Sequence, residues 1–84
     1  MILHTINRRS AYELCKSYIN KDDQVLLIED GVYLALESDM KASVIADDVK
    51  ARGLMDRLPE SISVIDYADF VAMSCDADKV CSWF

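Results

Sequence analysis

Val25-Leu26-Leu27-Ile28-Glu29-Asp30-Gly31 is the stretch that decides the fold. Its four apolar residues run without polar alternation, as in a strand covered on both faces of a parallel sheet. Glu29-Asp30-Gly31 then ends the strand: Gly31 permits a tight strand-to-helix turn, and Asp30 is placed to cap a helix over 31–38. The same grammar recurs downstream. Ser43-Val44-Ile45-Ala46 runs into Asp47-Asp48 and a short helix stopped by Gly53. After a loop with Pro59, Ile62-Ser63-Val64-Ile65 is a further strand, and Asp66 caps a helix on which Tyr67, Phe70, Val71 and Ser74 share a face. Upstream, residues 1–6 are a first strand and Ser10-Ala11-Tyr12-Glu13 has the form of a capping box. Behind it Ala11, Leu14, Cys15, Tyr18 and Ile19 fall at i, i+3, i+4, i+7 and i+8, one apolar helix face ending near Asn20. Lys21-Asp22-Asp23 is a polar turn, and 80–84 is a fifth strand.

Strand and helix alternate, without repeat or linker. The expectation is α/β: one small domain over 1–84, a mostly parallel sheet of about five strands flanked by helices through right-handed crossovers. In such a sheet the carboxyl ends of the strands share one edge. Glu29, Asp30, Asp47, Asp48 and Asp66 make that edge acidic. Neither a G-x-G-x-x-G nor a G-x-x-x-x-G-K loop occurs, so a doubly wound domain without the usual nucleotide cofactor is expected.

The 84 residues are 52% hydrophobic with a net charge of −6, and the mean hydropathy is +0.08. So small a chain with so much apolar surface is expected to meet another subunit rather than stand as a monomer, forming homo-oligomers when alone. Direct nucleic-acid binding is not expected, since cations cluster only at Arg8-Arg9. The longest run without charge is 1–7, far short of the ~20 apolar residues of a membrane span. The beginning of the chain is apolar first and basic second, the reverse of an export signal. Three cysteines, no C-x-x-C pair and one histidine draw no zinc site and fit a reduced cytoplasm.

For the carboxylates, Mg²⁺ among Asp30, Asp47 and Asp66 competes with the plainer role of helix caps, which fits strand by strand. His4 has the chemistry of a general base, but no nucleophile elbow stands beside it, so it reads as structural. The aromatics read as core or interface, and Trp83-Phe84 as apolar surface for a partner. Arg8, Arg9, Lys50 and Arg52 read as solvated charge. Cys15 lies on the apolar stripe with Lys16 adjacent. It is either a small buried hydrophobe or, with sulfur exposed at the stripe's margin, a reactive thiol. Cys75 ends a helix and Cys81 lies near Lys79.

Five segments resemble the TusB/DsrH family of sulfur-relay proteins. They are Leu3-His4-Thr5-Ile6-Asn7 with Arg9-Ser10, then Leu26-Leu27-Ile28-Glu29-Asp30-Gly31-Val32-Tyr33, and Asp48-Val49-Lys50-Ala51-Arg52-Gly53-Leu54. Ile65-Asp66-Tyr67-Ala68-Asp69-Phe70-Val71 and the closing Val80, Ser82 and Trp83 complete the set. The resemblance implies a small cytoplasmic α/β subunit of a heterohexamer with sister TusC/TusD-like or DsrF/DsrE-like subunits. That complex passes persulfide sulfur toward 2-thiouridine at the tRNA wobble position, or serves sulfur oxidation. The principal carrier cysteine belongs to a sister subunit, which implies a mainly structural role here. With neither phosphate loop nor zinc pattern in the sequence, no cofactor and no metal are expected. Some DsrH-type chains carry a first-helix cysteine ten residues before the second strand's valine, as Cys15 precedes Val25, so Cys15 is the candidate persulfide or regulatory cysteine. The chain is shorter than the family between Leu36 and Ser43.

Overall fold

Five strands form one sheet: β1 (Ile2–Ile6), β2 (Gln24–Leu27), β3 (Ala42–Ile45), β4 (Ile62–Ile65) and β5 (Lys79–Trp83). Their order is β4-β3-β2-β1-β5, and every neighbouring pair is parallel. The computed structural model describes residues 1–37 and 40–84. The fold is the α/β class that the alternation of strand and helix predicts.

Successive connections from β1 to β4 step one way across the sheet, and the last returns past β1. Right-handed crossovers therefore lay the first three helical connections on one face and the fourth on the other. Two separate cores record this division. The first joins Ile6, Val25, Leu27, Val44 and Ile62 to Ala11 and Cys15 of α1 (Arg9–Cys15), Leu34 and Ala35 of α2 (Leu34–Glu37) and Val49 of α3 (Ala46–Ala51). The second, on the opposite face, packs Leu3, Leu26 and Ile45 against Phe70, Met73 and Ala77, the first two of these on α4 (Tyr67–Asp76).

The local grammar holds at some junctions and fails at others. Asp66 caps α4: its carboxylate accepts the Asp69 amide at 2.8 Å, and Asp69 reciprocates to the Asp66 amide at 3.2 Å. Gly53 ends the α3 segment in the left-handed region at φ 67°. The other expected caps are corrected. Ser10 does not cap α1, because the helix opens two residues earlier, at Arg9 after Arg8, and no side chain caps it. Asp30 does not cap a helix either: a 3-10 turn over Glu29–Tyr33 comes first, with Ile28 before it. The expected end of the second helix at Ser38 lies outside the described residues. Asp47 and Asp48 sit inside the first turn of α3, which follows β3 without a spacer.

Two amphipathic faces are also narrower than their periodicity predicts. α1 is barely two turns long, then tightens into a 3-10 turn over Lys16–Tyr18. Ala11 and Cys15 are buried, whereas Leu14 and Tyr18 are each 65% exposed. On α4 the sheet-facing residues are Phe70 and Met73, while Tyr67 and Val71 are exposed. Gly31 is required for space rather than for its dihedral: a Cβ there would stand 2.1 Å from the Ile6 carbonyl oxygen. The left-handed residue of the turn is Glu29, at φ 48°.

Candidate functional site

Cys15, at the end of α1, has no exposed surface and lies within the first core. Burial pushes its thiol above the usual cysteine value, because a thiolate there would lose its hydration. Of the two placements open to Cys15, the chain adopts the buried one, and the sulfur is not exposed at the stripe's margin. Lys16 gives the thiol no help, since its amine is held by Glu13 at 2.9 Å and raised above the usual lysine value by that carboxylate. Cys75 is exposed and Cys81 is half-buried.

The sheet does assemble a polar chain around His4. His4 sits in the middle of β1, 1% exposed, opposite Cys81 of β5 in the strand register. The indole Nε1–H of Trp83 donates to His4 Nδ1 at 3.0 Å, and His4 Nε2 lies 3.0 Å from Asp23 Oδ2. An indole only donates, so Nδ1 must carry a lone pair and the ring proton sits on Nε2, directed at Asp23. Asp23 also accepts the amides of Asn20 at 2.9 Å and Ile2 at 3.0 Å. These donors, the Asn20 amide foremost, lower its carboxyl to about 2. Tyr18 stacks on Trp83 with ring centroids 5.7 Å apart. With both ring nitrogens engaged, His4 has no free lone pair for a proton transfer. The arrangement ties β1, β5 and the turn before β2 together.

At the carboxyl ends of the strands, Arg52 gathers the acidic residues. Its Nη2 and Nε reach Asp30 Oδ1 at 2.9 and 3.0 Å, and its Nη1 donates to the Asp48 carbonyl at 3.1 Å. Asp48 in turn accepts the amide of the strained Glu29 at 2.9 Å. Arg52 is thus a structural cation rather than solvated charge. Among the described residues no three metal-ligating side chains converge, so Asp30, Asp47 and Asp66 do not meet. At the opposite edge of the sheet an open cleft of about 420 Å³ is lined by Ile19, Lys21, Gln24, Lys41, Ser43 and Ser63 among others. No helix among the described residues is long and apolar enough to cross a membrane.

Sequence reasoning identified His4 as structural but missed its partners. Asp23 was legible only as a turn residue, and Trp83 lies 79 positions away. The parallel register that brings Trp83 beside β1 has no local signature.

The family described as DsrH like protein matches residues 6–80. Protein TusB of Photorhabdus laumondii is 30% identical, with 98% of this chain and all of that protein covered. Protein TusB of Enterobacter sp. is 28% identical over the same share of each. The first of these alignments spans 96 positions against 84 residues here, so that relative carries insertions. Among solved structures, the ychN protein from E. coli superposes with a TM-score of 0.67 over 98% of this chain and 97% of that one. At 14% identity, that superposition establishes a common fold alone.

Proposed function

The chain belongs to the DsrH-like family, and from that premise we propose that it is a structural or accessory subunit of a cytoplasmic sulfur-relay complex. In this reading the complex moves persulfide sulfur toward 2-thiouridine at the tRNA wobble position, and sister TusC/TusD-like subunits complete it as a hexamer. The observation that carries the structural role is the burial of Cys15. To accept sulfur, a thiolate must attack the outer sulfur of a donor persulfide as the donor thiolate leaves. A fully shielded thiol whose proton is held by burial meets neither requirement. The outer face of α4, with Tyr67 and Val71 exposed, supports a subunit that covers apolar surface against a partner. A net charge of −6 supports leaving the tRNA to other subunits.

Co-purification from the native cell, with associated proteins identified by mass, tests the assembly: recovery of sister subunits is expected, and a chain that stays alone refutes it. Loading the reconstituted complex with a cysteine desulfurase tests the role, a persulfide appearing as a gain of about 32 Da. The label is expected on a sister subunit. Full labelling of Cys15, with transfer lost in Cys15→Ala, makes this chain the carrier instead.

A further inference from the structure

The outer edge of β5 is built to pair. The Ile28 amide donates to the Ile6 carbonyl, so Ile6 addresses β2, and the Asn7 amide approaches the Trp83 carbonyl at 3.5 Å. Along a parallel pair the backbone groups alternate between the two neighbours. Odd-numbered residues of β5 therefore face β1, and the amides and carbonyls of Val80 and Ser82 point away from the sheet, without a partner among the described residues. Nothing blunts this edge: β5 has no proline, and its one charge is Lys79 at the start. Exposed apolar side chains lie along it, with Val80 on the strand, Phe84 after it, and Tyr18 stacked over Trp83.

We propose that a second copy of this chain occupies the edge, β5 pairing antiparallel with β5 about a two-fold axis at Cys81. This concerns contact between two copies and stands apart from the sulfur-relay reading. The register follows from self-complementarity. Val80 opposite Ser82 of the other copy is the one antiparallel alignment that gives both outward residues a partner within β5. Each such pair exchanges two backbone hydrogen bonds, once on either side of the axis. Lys79 then faces Trp83 of the other copy, a cation against an indole, and the two lysines lie at opposite ends of the ribbon. The two Cys81 residues form the intervening non-hydrogen-bonded pair, with Cα atoms about 4.5 Å apart, within disulfide reach.

That last feature is the test. In the full chain carrying Cys75→Ser, Cys81 is the only thiol outside the core. Diamide takes two electrons and two protons from a pair of thiols as the S–S bond forms, and a Cys81–Cys81 dimer is expected, mapped by peptide mass. Ser82→Pro removes an outward donor from each copy and is expected to weaken self-association about tenfold. Circular dichroism reports whether that variant folds. Independently of it, exchange of the Val80 and Ser82 amides in the unaltered chain is expected to slow as concentration rises. In the complex purified from the native cell, the same diamide treatment is expected to form the Cys81–Cys81 link. The proposal is overturned by a chain that sediments as a monomer throughout, by a dimer without the Cys81 link, or by amide exchange independent of concentration. It is equally overturned by dimerisation untouched in a folded Ser82→Pro variant, or by a sister subunit cross-linked to Cys81 in the complex.

Discussion

Trp83 donates its indole N–H to the Nδ1 of His4, 3.0 Å away and 79 residues earlier in the chain. That bond fixes the tautomer, and the tautomer delivers the remaining ring proton to Asp23. A central and an edge strand are thereby locked to the turn that opens β2. The one histidine of the chain is consumed in structure, both ring nitrogens engaged.

Trp83→Phe keeps most of the aromatic surface over His4 and deletes only the donor. With His4 Nδ1 left unpaired and nearly buried, the variant is expected to lose about 1–3 kcal/mol of stability. Chemical denaturation followed by circular dichroism should show a lower midpoint with an unchanged slope. An unchanged midpoint would show that the hydrogen bond contributes nothing net.

Asp23 sets the acid limit. Its folded carboxyl is lowered from 3.8 to about 2, so the native state holds the charged form more tightly than the unfolded chain does. The sign follows: this stabilisation is complete above about 4 and is lost as pH falls from there through about 2. Asp23→Asn should flatten that part of the stability profile while lowering stability at neutral pH. Urea unfolding of both proteins between pH 5 and pH 2 measures it, and parallel profiles would remove Asp23 from the account.

The sheet was legible because each strand is a short apolar run closed by polar or turn residues, a pattern that survives without tertiary information. β4 falls where its residues place it, and Asp66 caps α4 as its position before an apolar helix implies. What failed was everything decided by neighbours. Asp30 looks like a cap, yet Arg52 from another connection holds it, and a 3-10 turn displaces the helix. The stripe through Leu14 and Tyr18 has helical spacing, but α1 stops at Cys15 and the turn rotates Tyr18 outward onto Trp83. The His4 site joins a strand, a turn and the neighbouring edge strand from the other end of the chain, and no local spacing encodes such a meeting.

Two residues of one turn should respond with opposite signs. Gly31→Ala drives a methyl into the backbone of Ile6 and is expected to cost about 3 kcal/mol or more, or to prevent folding. Glu29 occupies the left-handed region, so Glu29→Gly should relieve strain and be neutral or stabilising by up to about 1 kcal/mol. Thermal melts of the two variants beside the parent decide the matter. A strongly destabilised Glu29→Gly would mean that its side chain contributes more than its backbone costs.

Thiol reactivity closes the question of Cys15 without an activity assay. Exposed Cys75 should be alkylated first by iodoacetamide, half-buried Cys81 more slowly, and Cys15 only when the chain opens. The rate at Cys15 should rise with urea in step with global unfolding, since α1 places Cys15 in the same buried core as Ile6, Val25 and Leu27. Substitution follows the same logic. Cys15→Ala leaves a small void, whereas Cys15→Ser places a hydroxyl where its partners are apolar and is expected to cost about 1–3 kcal/mol. Serine should therefore weaken assembly through folding, and alanine is the substitution that isolates chemistry. Rapid labelling of Cys15 in native buffer would overturn this order and reopen Cys15 as a sulfur-accepting thiol.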